Sequence, residues 1–368
     1  MKTKIIICVL IFAFFLSGSY SEIVDKQLKI AEKSGFSKNL SDETVEILRK
    51  IGIENLSYED LSSFSFDEIL ALILESFATK IKEPFKAVLT ITAGAIICSV
   101  TQNFCENFAK TGKIIDAVSA LSAASVFLIP LKNIITSSVS VIEECSNFML
   151  GFIPIYSSAI IASGNITSAT GYRTLMLSAV TIISRISSEI IAPLICIYIA
   201  LSIVSSVSDV NIGEISKTIK NFSVWLLTLA TTVFSGLLGL GTLITSSADK
   251  TLSKTAKLFI GTVVPIVGGT VSEAFSTVKS CLEITKNILG SYAVLVIAAI
   301  FLPSIISLLS WKICLSISSG ISDILENKKL SVFLSASSGI MGIMLALVII
   351  TAIMFIFAIS IMLMTGVN

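Results

Sequence analysis

No histidine occurs anywhere in the 368 residues. That one gap removes the commonest general base, the serine-histidine-aspartate triad and most zinc sites. Cysteine does not compensate. The seven cysteines, Cys8, Cys98, Cys105, Cys145, Cys196, Cys281 and Cys314, include no Cys-x-x-Cys pair, so no metal knuckle or redox motif is spelled out. Cys98 and Cys105 stand one heptad apart in an apolar run, where cysteine acts as a small hydrophobe. Charge is scarce as well, at 14% of residues, against about 25% in soluble domains. No basic patch with interleaved aromatics is present, so nucleic-acid binding has no support. The apolar segments carry few carboxylates and no paired-carboxylate motif. These absences predict a protein that is not an enzyme and needs no cofactor or metal.

What is abundant is apolar sequence: 54% of the chain is hydrophobic and its mean hydropathy is +0.93. The expectation is an all-α, polytopic membrane bundle of about six to eight transmembrane helices. The net charge of +1 conceals an asymmetry. Residues 22–86 hold nine basic and thirteen acidic side chains, whereas residues 87–368 hold fifteen and twelve. Lys2 and Lys4, the run IIICVLIFAFFL and Ser17-Gly18-Ser19 have the three-part layout of a signal peptide over 1–19. An uncleaved anchor is the alternative, and either delivers the following segment to the outer face. Residues 20–86 read as a small extracytoplasmic helical segment. In 66–81, Ile69, Leu70, Ile73, Leu74, Phe77 and Ile81 recur at spacings of three and four, which predicts one apolar helix face. Ser65-Phe66-Asp67-Glu68 supplies a capping box at its start, and Pro84 a bend before the first span. So small a segment is marginal alone and is expected to pack on the membrane, on the spans or on a partner.

From Ala87 the membrane domain, 87–368, offers charge-free runs at 87–105, 114–131, 145–165, 190–208, 221–246, 258–272, 287–311 and 340–363, measured against the roughly 20 apolar residues that a crossing needs. Alternation from an outside start places loops 106–113, 166–189, 247–257 and 312–339 inside, and 132–144, 209–220 and 273–286 outside. Ten basic residues then fall inside and five outside, in keeping with the positive-inside rule. Several runs, such as LSAASVFL and SASSGIMGIM, are rich in small and hydroxyl residues. These let helices approach closely and hydrogen-bond across their interfaces, and they suit a tight bundle or a homo-oligomer. Gly236-x-x-Gly239-x-Gly241 and Gly339-x-x-Gly342 belong to such faces; no lysine follows at the spacing a phosphate loop requires. Arg185 and Glu189, four apart in SRISSEIIAPL, can pair on one helix face. They read either as an interfacial amphipathic helix facing headgroups or as a charge pair lining a polar passage.

The most irregular stretch is 247–290, where charge, glycine and proline interleave. Its uncharged run of fifteen residues, 258–272, carries Gly261, Pro265, Gly268 and Gly269. It is either a short kinked crossing buried among other helices or a re-entrant segment, and the charge bias favours the crossing. The sequence SADKTLSKTAKLFIGTVVPIVGGTVSEAF, the later Lys286-Asn287-Ile288-Leu289-Gly290, the upstream ISRISSEIIAPL, the signal peptide with its soluble segment and the TGVN end together resemble the stage III sporulation protein AE family of endospore-forming bacteria. The resemblance covers essentially the whole chain and is most specific over 184–290. It implies a non-enzymatic subunit of the transenvelope, secretion-like channel complex between mother cell and forespore. That complex is required for forespore development and for late forespore sigma factor activity. It also implies a place in the mother-cell membrane around the forespore, with other stage III sporulation membrane proteins of the same operon as partners and, through them, a forespore membrane protein. A self-sufficient secondary transporter of a small solute is the alternative that the glycine- and proline-interrupted segment supports, although no internal repeat accompanies it.

Overall fold

Twelve residues spaced three or four apart, Ala120, Ala124, Phe127, Leu131, Ile135, Ser138, Ile142, Cys145, Met149, Phe152, Tyr156 and Ile160, form a continuous stripe along the sequence, and every one is buried. That periodicity belongs to one helix. In the computed structural model, which describes residues 40–53, 66–104, 109–162, 166–207, 214–215, 217–234, 236 and 268–364, these residues lie in a single helix of 54 residues, Ala109–Ala162. The expected outside loop at 132–144 is therefore helical, and the runs 114–131 and 145–165 share one rod. Its polar residues, Lys132, Asn133, Glu143 and Glu144, sit off the buried stripe, so they do not interrupt it.

The described elements are α1 (Asp42–Lys50), α2 (Phe66–Lys80), α3 (Lys82–Phe104), α4 (Ala109–Ala162), α5 (Ile166–Arg185), a π-helical turn (Ile186–Ile191), α6 (Ala192–Val207), α7 (217–234), α8 (Gly268–Ile324) and α9 (Lys328–Met364). No strand occurs among the described residues. Five of their segments are long and apolar enough to cross a membrane: Leu70–Thr101, Ile114–Ile161, Ala169–Ser206, Ile288–Ile324 and Lys328–Ser360. The molecule is an all-helical, multi-span membrane bundle.

Packing of α4 on the α8–α9 hairpin, antiparallel to α8, sets the frame. Near one end Ser119 meets Asn327 in the α8–α9 turn; farther along, Phe127 packs edge-on against Trp311 with ring centroids 5.9 Å apart. Past the centre, Phe148, Phe152 and Tyr156 stack in succession, fully buried. Asn327 organises the turn. It is completely buried, donates from Nδ2 to Ser119 Oγ at 2.8 Å, and accepts the Leu330 N–H at 3.3 Å as the cap of α9. Glu326 before it is left-handed, with φ of 60°, a conformation costly for a residue with a Cβ.

Other expectations change with this frame. Residues 166–189, expected as an inside loop, are helical and continue through the π turn into α6. Lys220, expected outside, shares a groove with Ser319, Asp323 and Ser331, so it lies at the same end as the α8–α9 turn. The bend expected at Pro84 falls at Ile81 between α2 and α3; Pro84 sits in the first turn of α3, where its missing N–H costs nothing. Over 70–80 of α2 the buried position is Leu72, while Leu70 and Leu74 of the expected apolar face are exposed. Most serine and threonine hydroxyls in the long helices bond to their own helix, as Ser146 does to the Ile142 carbonyl at 2.7 Å and Thr351 to that of Leu347 at 2.8 Å. Cross-helix hydroxyl bonds, expected throughout, are few; Ser316 with Ser338 at 2.7 Å is one. Small side chains here serve close packing first, as where Gly339 receives the Tyr198 hydroxyl. The signal-peptide region 1–19 lies outside the described residues.

Candidate functional site at the middle of the bundle

Halfway along α4 the bundle changes character, and the short helix α1 docks there. Ser41 caps α1, its Oγ accepting the Thr44 N–H at 3.3 Å, with Asp42 and Glu43 in the first turn and Arg49 and Lys50 in the last, as the helix dipole favours. The helix ends on Gly52, at φ 81°, while Ile53 returns its N–H to the Leu48 carbonyl at 2.9 Å. That closing turn folds Ile53 back beside Ile47, Leu48 and Ile51, and all four are buried. The apolar side of α1 is thus spent on packing, and its polar start is left to meet α4. There Glu144 Oε1 accepts two bonds, from the Ser41 N–H and from the Thr44 hydroxyl, each at 2.8 Å. Lys80 of α2 donates to Glu43 at 2.8 Å, and Lys50 to Glu75 at 3.1 Å. The hydrogen bond and charge of Glu75 push the Lys50 ammonium above its ordinary value of 10.5.

Behind this contact lies a cavity of about 180 Å³. One wall is α4, with Pro130, Asn133, Ser137 and Glu144; the opposite wall is α8, with Pro303, Ser304, Ser307 and Trp311; Glu43, Lys80 and Glu83 close it. Pro130 and Pro303 are helix-interior prolines, each lacking the donor its helix would use. Two weakened helix segments therefore face each other across one polar space. A second hollow of about 270 Å³, lined by Glu46, Lys50, Glu75 and Thr79, shares Glu43, Lys80 and Pro303 with the first. Hydroxyls, an amide and charges of both signs suit the passage or retention of a polar group. Among the described residues no group of three or more cysteine, aspartate or glutamate side chains could hold a metal ion.

Arg185 immediately precedes the π turn and Glu189 lies within it, and both are exposed. Neither makes an ion pair among the described residues. Their local geometry has a cause in the next element, because Pro193 cannot donate to residue 189. The widened turn, with the Ala192 N–H bonded to the Ser187 carbonyl, takes up the mismatch. Tyr198 of α6 meets Gly339 of α9. Counting back at 1.5 Å per residue puts Arg185 about 20 Å farther along, level with the central cavity but on the outer surface. Gly268 and Gly269 open α8. Gly261 and Pro265 lie outside the described residues. Of the four described, Arg185 and Glu189 stand at the π turn and Gly268 and Gly269 at the start of α8. The residue that sequence reasoning missed is Glu144, assigned to a loop. The unbroken stripe through Ile135, Ser138 and Ile142 was the available sign that 132–144 is helix.

The family model described as stage III sporulation protein AE matches residues 52–366. The stage III sporulation protein AE of Bacillus subtilis (strain 168) is 22% identical over 246 residues, an alignment that covers 65% of this chain and 60% of that protein. No solved structure matches the chain. With the family model extending from the end of α1 to beyond the end of α9, the chain belongs to the stage III sporulation protein AE family.

Proposed function

We propose that the protein is a non-enzymatic integral membrane subunit of the channel complex linking mother cell and forespore. In this reading it sits in the mother-cell membrane around the forespore and acts with other membrane proteins of the same operon. Forespore development and late forespore sigma factor activity depend on it. The observation that carries the proposal is the stage III sporulation family match over residues 52–366 on a multi-span bundle. The polar cavity between Pro130 and Pro303, lined by Ser137, Ser304 and Ser307 with Glu43, Lys80, Glu83 and Glu144, supports a role in passage of a polar group. Deleting the gene is expected to abolish late forespore transcription and lower spore yield. Normal transcription and yield would overturn the proposal.

That same cavity favours a second reading, in which the chain alone moves a small polar solute. Substrate sites of secondary transporters are built where helices are broken near the midplane. Solute flux through liposomes containing only this protein would support it, and sealed vesicles would remove it.

A further inference from the structure

Lys312 stands within the apolar segment Ile288–Ile324, twelve residues from its end at Ile324. At 1.5 Å per residue that is about 18 Å, far beyond the roughly 6 Å that a lysine stem can reach toward an interface. The side chain is exposed, and its ammonium makes no hydrogen bond or ion pair among the described residues. No carboxylate of its own helix can come to it, because Asp323 is eleven residues away. The neighbouring helix shapes its place. A Cβ at Gly342 would lie 3.6 Å from both Cε and Nζ of Lys312, so the end of the side chain rests in a notch on α9 where no side chain stands. The Lys312 carbonyl also accepts the Ser338 hydroxyl at 3.3 Å, holding α8 and α9 together at this level.

Around that fixed cation α8 presents an uncovered helical face. Leu309, Ile313 and Ile317, spaced by four, are exposed at 38%, 40% and 55%, with the small Ser316 between them. Apolar side chains and a serine suit a neighbouring helix in the membrane, where close approach is rewarded. A lone ammonium at this depth is expensive without a counter-charge. We infer that this face of α8 docks a membrane-spanning helix of another protein, one that brings an aspartate or glutamate to Lys312. The docked helix covers Leu309, Ile313 and Ile317, and its carboxylate meets the ammonium over Gly342. The recognition is single-charge and positional: a helix with its carboxylate a turn higher or lower leaves both charges unmet in hydrocarbon. This inference stands on the α8 span itself. A normal spore yield in the deletion strain would sink the proposed channel role and leave it intact.

The test uses the full chain in sporulating cells, with the photoreactive residue p-benzoylphenylalanine placed at Ile313 and, as a control, at the exposed Ile353 of α9. Illumination at Ile313 is expected to give one adduct with another membrane protein, joined to an apolar segment containing a carboxylate. Lys312→Gln should lower the adduct at least tenfold, and Lys312→Arg should keep half or more. Replacing the partner's carboxylate with lysine should restore the adduct to Lys312→Glu. Melting of the purified Lys312→Gln protein in detergent, within about 2 °C of the unaltered chain, shows that the bundle is intact. An adduct only with lipid, only with a second copy of this chain, or with a segment lacking a carboxylate overturns the inference. So does an adduct that Lys312→Gln leaves unchanged. The adduct in the otherwise unaltered chain decides the matter even if the glutamine variant fails to fold.

Discussion

The two halves of α4 have nearly the same apolar composition and opposite surroundings. Over 114–131, six large apolar side chains are exposed, with Ile114 at 63% and Ile129 at 69%; over 145–161 there are two, Leu150 at 39% and Ile161 at 40%. The second half instead buries Phe148, Phe152 and Tyr156 completely, because α5 folds back on it while α8 and α9 close the other sides. Hydropathy cannot distinguish them. One half has the surface of a helix in lipid, the other that of a helix in protein. The apolar part of α4, 48 residues or about 72 Å long, is more than twice the roughly 30 Å of a hydrocarbon core. The polar ring at its centre, with Glu144, α1 and the cavity, marks the boundary between the two.

Truncating the protein-facing half should have the largest effect. Phe152→Ala leaves a void among stacked rings and is expected to cost about 3–5 kcal/mol in reversible unfolding in detergent. Ile129→Ala in the other half should cost under about 1 kcal/mol, since the side chain has few protein atoms to lose. Equal losses at the two positions would break the comparison. A spectroscopic measurement sharpens it without destabilising the fold. In vesicles of brominated lipid, a tryptophan at Ile129 should be quenched strongly and one at Tyr156 weakly. The reverse pattern would place the lipid around the second half.

How much of this was legible from sequence differs along the chain. Composition and the long unbroken apolar runs pointed to an all-helical membrane bundle, because such a run satisfies its backbone groups within one helix, whereas barrel strands are short and alternate. The division of 109–162 into two crossings failed because charge was counted along the sequence and not around the helix. Lys132, Glu143 and Glu144 look like a loop in one dimension and like one side of a rod in three. Arg185 and Glu189 were noticed for their spacing, which is that of an ion pair, but Pro193 widens the turn and the two remain apart. Glu144 was invisible as a docking point, since its partners, Ser41 and Thr44, are about a hundred residues distant. Asn327 was equally hidden. Nothing local announces that a turn asparagine will be buried against Ser119.

At the boundary itself, Glu144 holds α1 by two hydrogen bonds to a carboxylate, each of which contributes about 1.5–3 kcal/mol in favourable settings. Glu144→Ala should therefore free residues 40–53, read as faster amide exchange there, and leave the midpoint of bundle unfolding nearly unchanged. If the bundle melts with α1, the two halves of α4 are joined through this contact and not merely divided by it.

The smallest effect is one of pH, and it concerns the outer layer of the same boundary. Lys50 is raised by Glu75, with side chains 45% and 65% exposed, so solvent screens much of the interaction. A folded value above the unfolded one means that the ammonium form favours the docked state. The contribution is complete below about 10.5 and is lost as pH rises through the folded value. Amide exchange over α1 should therefore be flat with pH, after correction for intrinsic rates, up to about 10, and should quicken modestly above 10.5. Lys50→Met should remove that rise while leaving the Glu144 contact in place. An unchanged alkaline response in Lys50→Met would show that the Lys50–Glu75 contact is not its source, and would remove the second hollow as the pH-sensitive element of the boundary.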